Sequence, residues 1–170
     1  MVFDYTLLLL PLLFIVHDFE EMSKREKWVS LHGDSIKARF PLMNKTVDLL
    51  SAISSRAFSI IVAEEFVVIS AVVMLSVFKT SFHILWIGFL GAFTLHLLIH
   101  FFQALMLRGY IPGLITSVML FPPACFILFM QRDNYSPSTL IGASMLCLLF
   151  AALNLSVMFY VATHSKRILH

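Results

Sequence analysis

Four stretches of this chain, residues 57–78, 82–107, 112–130 and 139–163, run on with almost no charge. Each is close to the roughly 20 residues that an α-helix needs to cross a hydrocarbon core. In lipid the backbone must satisfy its own hydrogen bonds, which leaves helices and closed barrels as spanning structures. Uninterrupted apolar runs of this length read as helices rather than as alternating strands. Composition agrees: 59% of residues are apolar and 13% charged, against about a quarter charged in a soluble protein. The 170 residues therefore predict one integral membrane domain, 1–170, an all-α polytopic transmembrane helix bundle.

A fifth segment, residues 5–22, has only 12 uninterrupted apolar residues. To span, it must take His17-Asp18-Phe19-Glu20-Glu21 into its last turns; a re-entrant or interfacial helix is the alternative. Pro11 is expected to kink it. Residues 23–56 read as a basic loop, with Gly33-Asp34 and Pro41 as breakers, Trp28 and Phe40 at the interface, and Asn44 as a cap for the next helix. About five helices result. No cleavable signal peptide is apparent, because Asp4 is the first charge and no small-residue cleavage site precedes the motif. Cys125 and Cys147 lie in apolar runs and read as small buried residues rather than a disulfide.

Orientation follows from the positive-inside rule. Ten of the 12 Lys and Arg residues share one side if residues 23–56, Arg108 and the Lys166-Arg167 end are cytoplasmic. Lys79 and Arg132 then lie outside, giving N-out, C-in. The basic 23–56 segment is expected to meet anionic membrane lipid headgroups, not nucleic acid.

Ionisable residues in a bilayer are costly and usually face the bundle interior. Three sets need a reason to be there: His17/Glu20/Glu21, Glu64/Glu65 and His96/His100. At i, i+3 and i+4, His17, Glu20 and Glu21 can share a helix face, leaving Asp18 pointing elsewhere. His96 and His100 are one turn apart, and Gln103 extends their stripe. With ~1.5 Å rise per residue, Glu64, His96, His100 and Asn154 fall roughly 10–16 Å in from the cytoplasmic ends of their spans, and Glu20 and Glu21 lie at that end of the first. Independent accidents would scatter them.

The carboxylates have no Lys or Arg at their depth, and a cation would neutralise them. Paired histidines with carboxylates suit a divalent metal ion, zinc or iron foremost. His17, Glu20, Glu21, Glu64, His96 and His100 are the expected ligands. Glu20, Glu64 and Glu65 are the expected catalytic carboxylates, one of them serving as general base. Since adjacent residues are ~100° apart on a helix, only one of Glu64 and Glu65 should face the site fully. Taken singly, each motif has a plainer reading: an interhelical hydrogen bond for the histidines, a proton-carrying pair for Glu64-Glu65, an interfacial patch for the first motif. His83, His32, His164 and His170 lie outside the cluster and need no special role.

These residues resemble the HXXEE-domain family of small bacterial integral membrane proteins. The resemblance rests on His17-Asp18-Phe19-Glu20-Glu21, Glu64/Glu65, His96-Leu-Leu-Ile-His100 and the proline-glycine turn in Tyr110–Thr116, and covers roughly residues 10–125. It implies an integral protein of the bacterial inner membrane whose His/Glu set serves metal binding or catalysis, and it carries no activity with it. The leading expectation is a metal-dependent membrane enzyme, a hydrolase or oxidase acting on a lipid-like substrate, with its site in the cytoplasmic half of the bundle. A proton- or cation-coupled transporter and a non-catalytic membrane subunit are the rivals.

Overall fold

The computed structural model describes residues 5–164. Asp4, His170 and the Lys166-Arg167 end used for the charge bias lie outside the described residues. The described chain is all-α: α1 (Leu9–Arg39), α2 (Asn44–Ala52), α3 (Ser55–Phe78), α4 (His83–Leu107), α5 (Leu114–Met130) and α6 (Pro137–His164), joined by short turns.

Six helices stand where about five were expected, and the difference is residues 23–56. α1 does not end after the motif; it continues for 31 residues, about 46 Å at 1.5 Å per residue. Its polar half is held by packing. Val29, Gly33 and Ile36 are buried, an i, i+4, i+7 stripe against which α2 lies. Gly33 is thus no breaker: a methyl group there would stand 3.1 Å from Val47 Cγ1, so its lack of a side chain lets α2 approach. Arg25 fastens the end of α2, donating to Leu50 O at 2.6 Å and Ile53 O at 2.9 Å, with its guanidinium 4.6 Å from the Phe58 ring centroid. Lys37 pairs with Asp48, and Ser55 donates to Glu26. Asn44 opens α2 without a side-chain capping bond. Pro11 falls in the first turn of α1, where no N–H is required.

Ser54 caps α3, its Oγ accepting from Ala57 N at 3.2 Å. The turn Thr80–Phe82 returns the chain into α4, the central helix, with α1, α3, α5 and α6 around it. Small residues set the α4–α6 spacing. A Cβ on Gly88 would lie 3.0 Å from Ala143 O, and one on Gly91 would run into Ser144, the close approach expected where dispersion and not water drives helix association. Cys147 is buried in this seam, and both cysteines are free thiols.

Three helical segments, Ser55–Phe78, Thr80–Leu107 and Pro137–His164, are long and apolar enough to cross a membrane. Many of their large apolar side chains face outward, such as Val67 at 65% and Leu146 at 70% exposure. A soluble chain would not leave such surfaces bare; this is a membrane protein. α5 is apolar but has 17 residues, and α1 joins a short apolar half to a charged one.

A candidate metal centre at the crossing of three helices

α1 and α4 bring four side chains together. His17 Nε2 lies 3.0 Å from His96 Nε2, and His96 Nε2 lies 3.1 Å from His100 Nε2. Glu21 Oε1 lies 2.9 Å from His100 Nε2, 3.6 Å from His17 Nε2 and 3.8 Å from His96 Nε2. One ligand atom from each of the four lies within 4.8 Å of the others. The helical repeat explains the set: His17 and Glu21, and His96 and His100, are each one turn apart and share a face.

The crowding at His96 is chemically informative. A neutral imidazole nitrogen either carries a proton or offers one lone pair. His96 Nε2 therefore cannot make good hydrogen bonds to two other Nε2 atoms at once. A cation drawn in among the lone pairs removes that conflict. Four ligands about 2.0–2.1 Å from a tetrahedral ion stand about 3.3–3.4 Å from one another; here five of the six pairs stand 2.9–3.8 Å apart, and all lie within 4.8 Å. The four side chains could hold a metal ion.

A second layer holds His17. Its Nδ1 lies 3.1 Å from Thr116 Oγ1, and Thr116 Oγ1 donates to Glu20 Oε2 at 2.6 Å. The chain imidazole–hydroxyl–carboxylate makes Nδ1 the protonated nitrogen, so Nε2 presents its lone pair to the cluster. Glu20 also accepts from Thr116 N at 2.7 Å, Ile115 N at 3.4 Å and the Tyr110 hydroxyl at 2.7 Å. It caps the start of α5 from a neighbouring helix, where exposed N–H groups favour an anion. Burial first, then this hydrogen bond and the Glu20 charge, hold the Tyr110 hydroxyl above the ordinary tyrosine range. Beside it, Gly113 has φ +86°, and a Cβ there would stand 2.8 Å from His100 Cε1 and 3.0 Å from both Glu21 Oε1 and His17 Cε1. Only glycine lets this turn lie against the cluster.

Of the expected ligands, His17, Glu21, His96 and His100 thus converge, while Glu20 and Glu64 are not among the four. Glu20 serves α5 and Thr116. Glu64 Oε2 accepts from Asn154 Nδ2 at 2.8 Å, tying α3 to α6. Glu65, its neighbour, lines a cavity with Asp18, Glu21 and His96. Asp18, expected to point away, is 7% exposed and borders that same cavity; its i, i+3 relation to Glu21 was the available signal. Thr116, Tyr110 and Gly113 were not expected in the site, since only the fold brings α5's start to α1. Gln103 lines a second cavity with His100 and Arg25. The remaining described histidines stay apart: His83 Nε2 lies 3.0 Å from Ser76 O, His32 stacks on Trp28 and His164 on Tyr160.

The two cavities, about 220 and 310 Å³, meet at the cluster, and Glu21 and His96 line both. The His96 side chain is 42% exposed, whereas that of His17 is fully buried. His17 anchors the group, and His96 is its accessible edge.

Helical packing and site together define an all-α membrane protein with a part-buried histidine-carboxylate cluster that could hold a metal ion. The chain belongs to the family described as proteins of unknown function with an HXXEE motif, whose model matches residues 8–128. That match includes the motif at His17–Glu21 and all four members of the cluster. No curated protein and no solved structure matches the chain.

Proposed function

We propose that this chain is a metal-dependent membrane enzyme holding one divalent ion, zinc or iron, on His17, Glu21, His96 and His100. Its substrate class is lipid-like, and its chemistry is hydrolytic or oxidative. The observation that carries this reading is the conflict at His96 Nε2, which lies 3.0 and 3.1 Å from two other ring nitrogens. A bound ion would supply Lewis acidity and lower the pKa of a coordinated water. The chain's own residues supply the rest. Thr116 and Glu20 hold the tautomer of His17. Gly113 closes one side of the cluster. The two cavities at Glu21 and His96 give approach to it, and their mainly apolar walls support a substrate arriving from lipid.

The expected catalytic carboxylates divide accordingly. Glu20 and Glu64 are engaged by other elements and act by positioning, while Glu65 faces the cavity and meets substrate. The charge bias supports N-out, C-in, with the α1–α2 hairpin in the cytoplasm and the cluster approached from the inner leaflet of a bacterial plasma membrane.

Element analysis of the detergent-purified protein tests this. About one zinc or iron per chain is expected, lost in a His96→Ala/His100→Ala double variant that keeps its helical circular dichroism. Metal-free protein whose unfolding temperature ignores both chelators and added zinc or iron would end the proposal.

A further inference from the structure

The smaller cavity has a composition that asks for a particular ligand. Phe14, Phe58, Val62 and Phe93 give it apolar walls, yet Asp18, Glu21 and Glu65 all open onto it. No Lys or Arg is among its lining residues. Asp18 is 7% exposed, and its Oδ2 is buried without a hydrogen-bond partner. A carboxyl oxygen left so in an apolar wall is costly unless something donates to it.

Four kinds of ligand can be compared. A second metal ion needs ligand atoms that converge, and among the described residues the converging group is His17, Glu21, His96 and His100, without Asp18 or Glu65. A phosphate or carboxylate headgroup would meet like charge. An ester or ketone offers acceptors where the wall already has too many. An ammonium brings three donors and a positive charge, and the flanking phenylalanine faces favour it further. The cavity, about 220 Å³, takes an organic group, and its mouth is edged by Phe150, which is 51% exposed on α6. An attached hydrocarbon chain can therefore leave sideways toward lipid.

We propose that this cavity binds an amphiphilic primary amine, its ammonium held between Asp18 and Glu65 and its chain lying along Phe14, Phe58 and Phe93. That amine is the polar end of the lipid-like substrate, a clause that rests on the enzymatic reading above. Glu21 and His96 also line the cavity, so a bond near the amine would lie beside the metal cluster.

The test uses the full chain in neutral dodecyl maltoside micelles, with radiolabelled dodecylamine as probe and dodecanol and dodecyl sulfate as competitors. Metal content and unfolding temperature are measured on the same samples. Saturable binding of one dodecylamine per chain is expected, displaced at least 10-fold less well by dodecanol than by unlabelled amine, and not by dodecyl sulfate. Asp18→Asn and Glu65→Gln should each weaken it at least 10-fold with metal content unchanged. If Asp18→Asn fails to fold, Glu65→Gln, at the partly exposed position, decides alone. Equal displacement by dodecanol, absence of saturable amine binding, or a second equivalent of metal lost in Glu65→Gln would each overturn the proposal. Amine binding to a protein that never carries metal would leave this site standing and remove the enzymatic reading. A metal-loaded protein indifferent to the amine would do the reverse.

Discussion

Two pairs of adjacent glutamates, Glu20-Glu21 on α1 and Glu64-Glu65 on α3, divide their labour the same way. In each pair the first residue is held by another helix: Glu20 by the start of α5, Glu64 by Asn154 of α6. The second opens toward a cavity: Glu21 at the histidine cluster, Glu65 at the amphiphile pocket. Adjacent side chains diverge by ~100° on a helix, so a doublet of acids in a bundle serves two neighbours at once. One acid fixes the packing, and the other is left to face a cavity. The pairs differ in degree. Glu20 accepts four hydrogen bonds, three of them at 2.7 Å or less, and reaches the cluster through Thr116; Glu64 has a single amide partner.

The division can be broken by substitution. Glu21→Gln should have the largest effect, lowering metal affinity on the order of 100-fold or more in a chelator competition, because it removes the only carboxylate of the cluster. Glu20→Gln should come next, with affinity down about 10-fold through the loosened His17 and a fold weakened by about 1–3 kcal/mol in denaturant titration. Equal effects of the two on metal would refute the distinction between ligand and positioning residue. Thr116→Val should reproduce the metal defect of Glu20→Gln with less loss of stability, and Thr116→Ser should restore it, since only the hydroxyl is needed. Glu64→Gln should be nearly silent, within about 0.5 kcal/mol, because an amide oxygen still accepts from Asn154. Acid should release the metal. Each imidazole must shed its proton to bind it, so affinity should fall as pH is lowered and rise to a plateau as it is raised, read by chelator competition across a pH series.

Much of this was readable in the residues. The apolar runs gave α3 to α6 because lipid leaves a backbone few choices, and the one-turn spacings gave His17/Glu21 and His96/His100. The polar half of α1 misled, because its charges and Gly33 resemble a loop when α2 is not in view; Val47 and Arg25 make it a helix through contacts distant in sequence. Helical periodicity also offered Glu20 as equal to Glu21. Which of the two meets histidine depends on where α5 begins, and no local pattern carries that. Asp18 was set aside for the same reason, since α3, which shares its cavity, begins 37 residues further on.

His17 and Thr116 are separated by 99 residues in the chain. At about 5–20 residues per second of synthesis, α1 waits on the order of 5–20 s before the hydroxyl that orients its histidine exists. For most of that interval the motif's histidine and acids lack the His96, His100 and Thr116 side chains that meet them. The cluster can therefore form only once α4 and the start of α5 have been made. The cluster would then be born assembled and closed on its Gly113 side, because the turn that covers it is made after all four of its side chains.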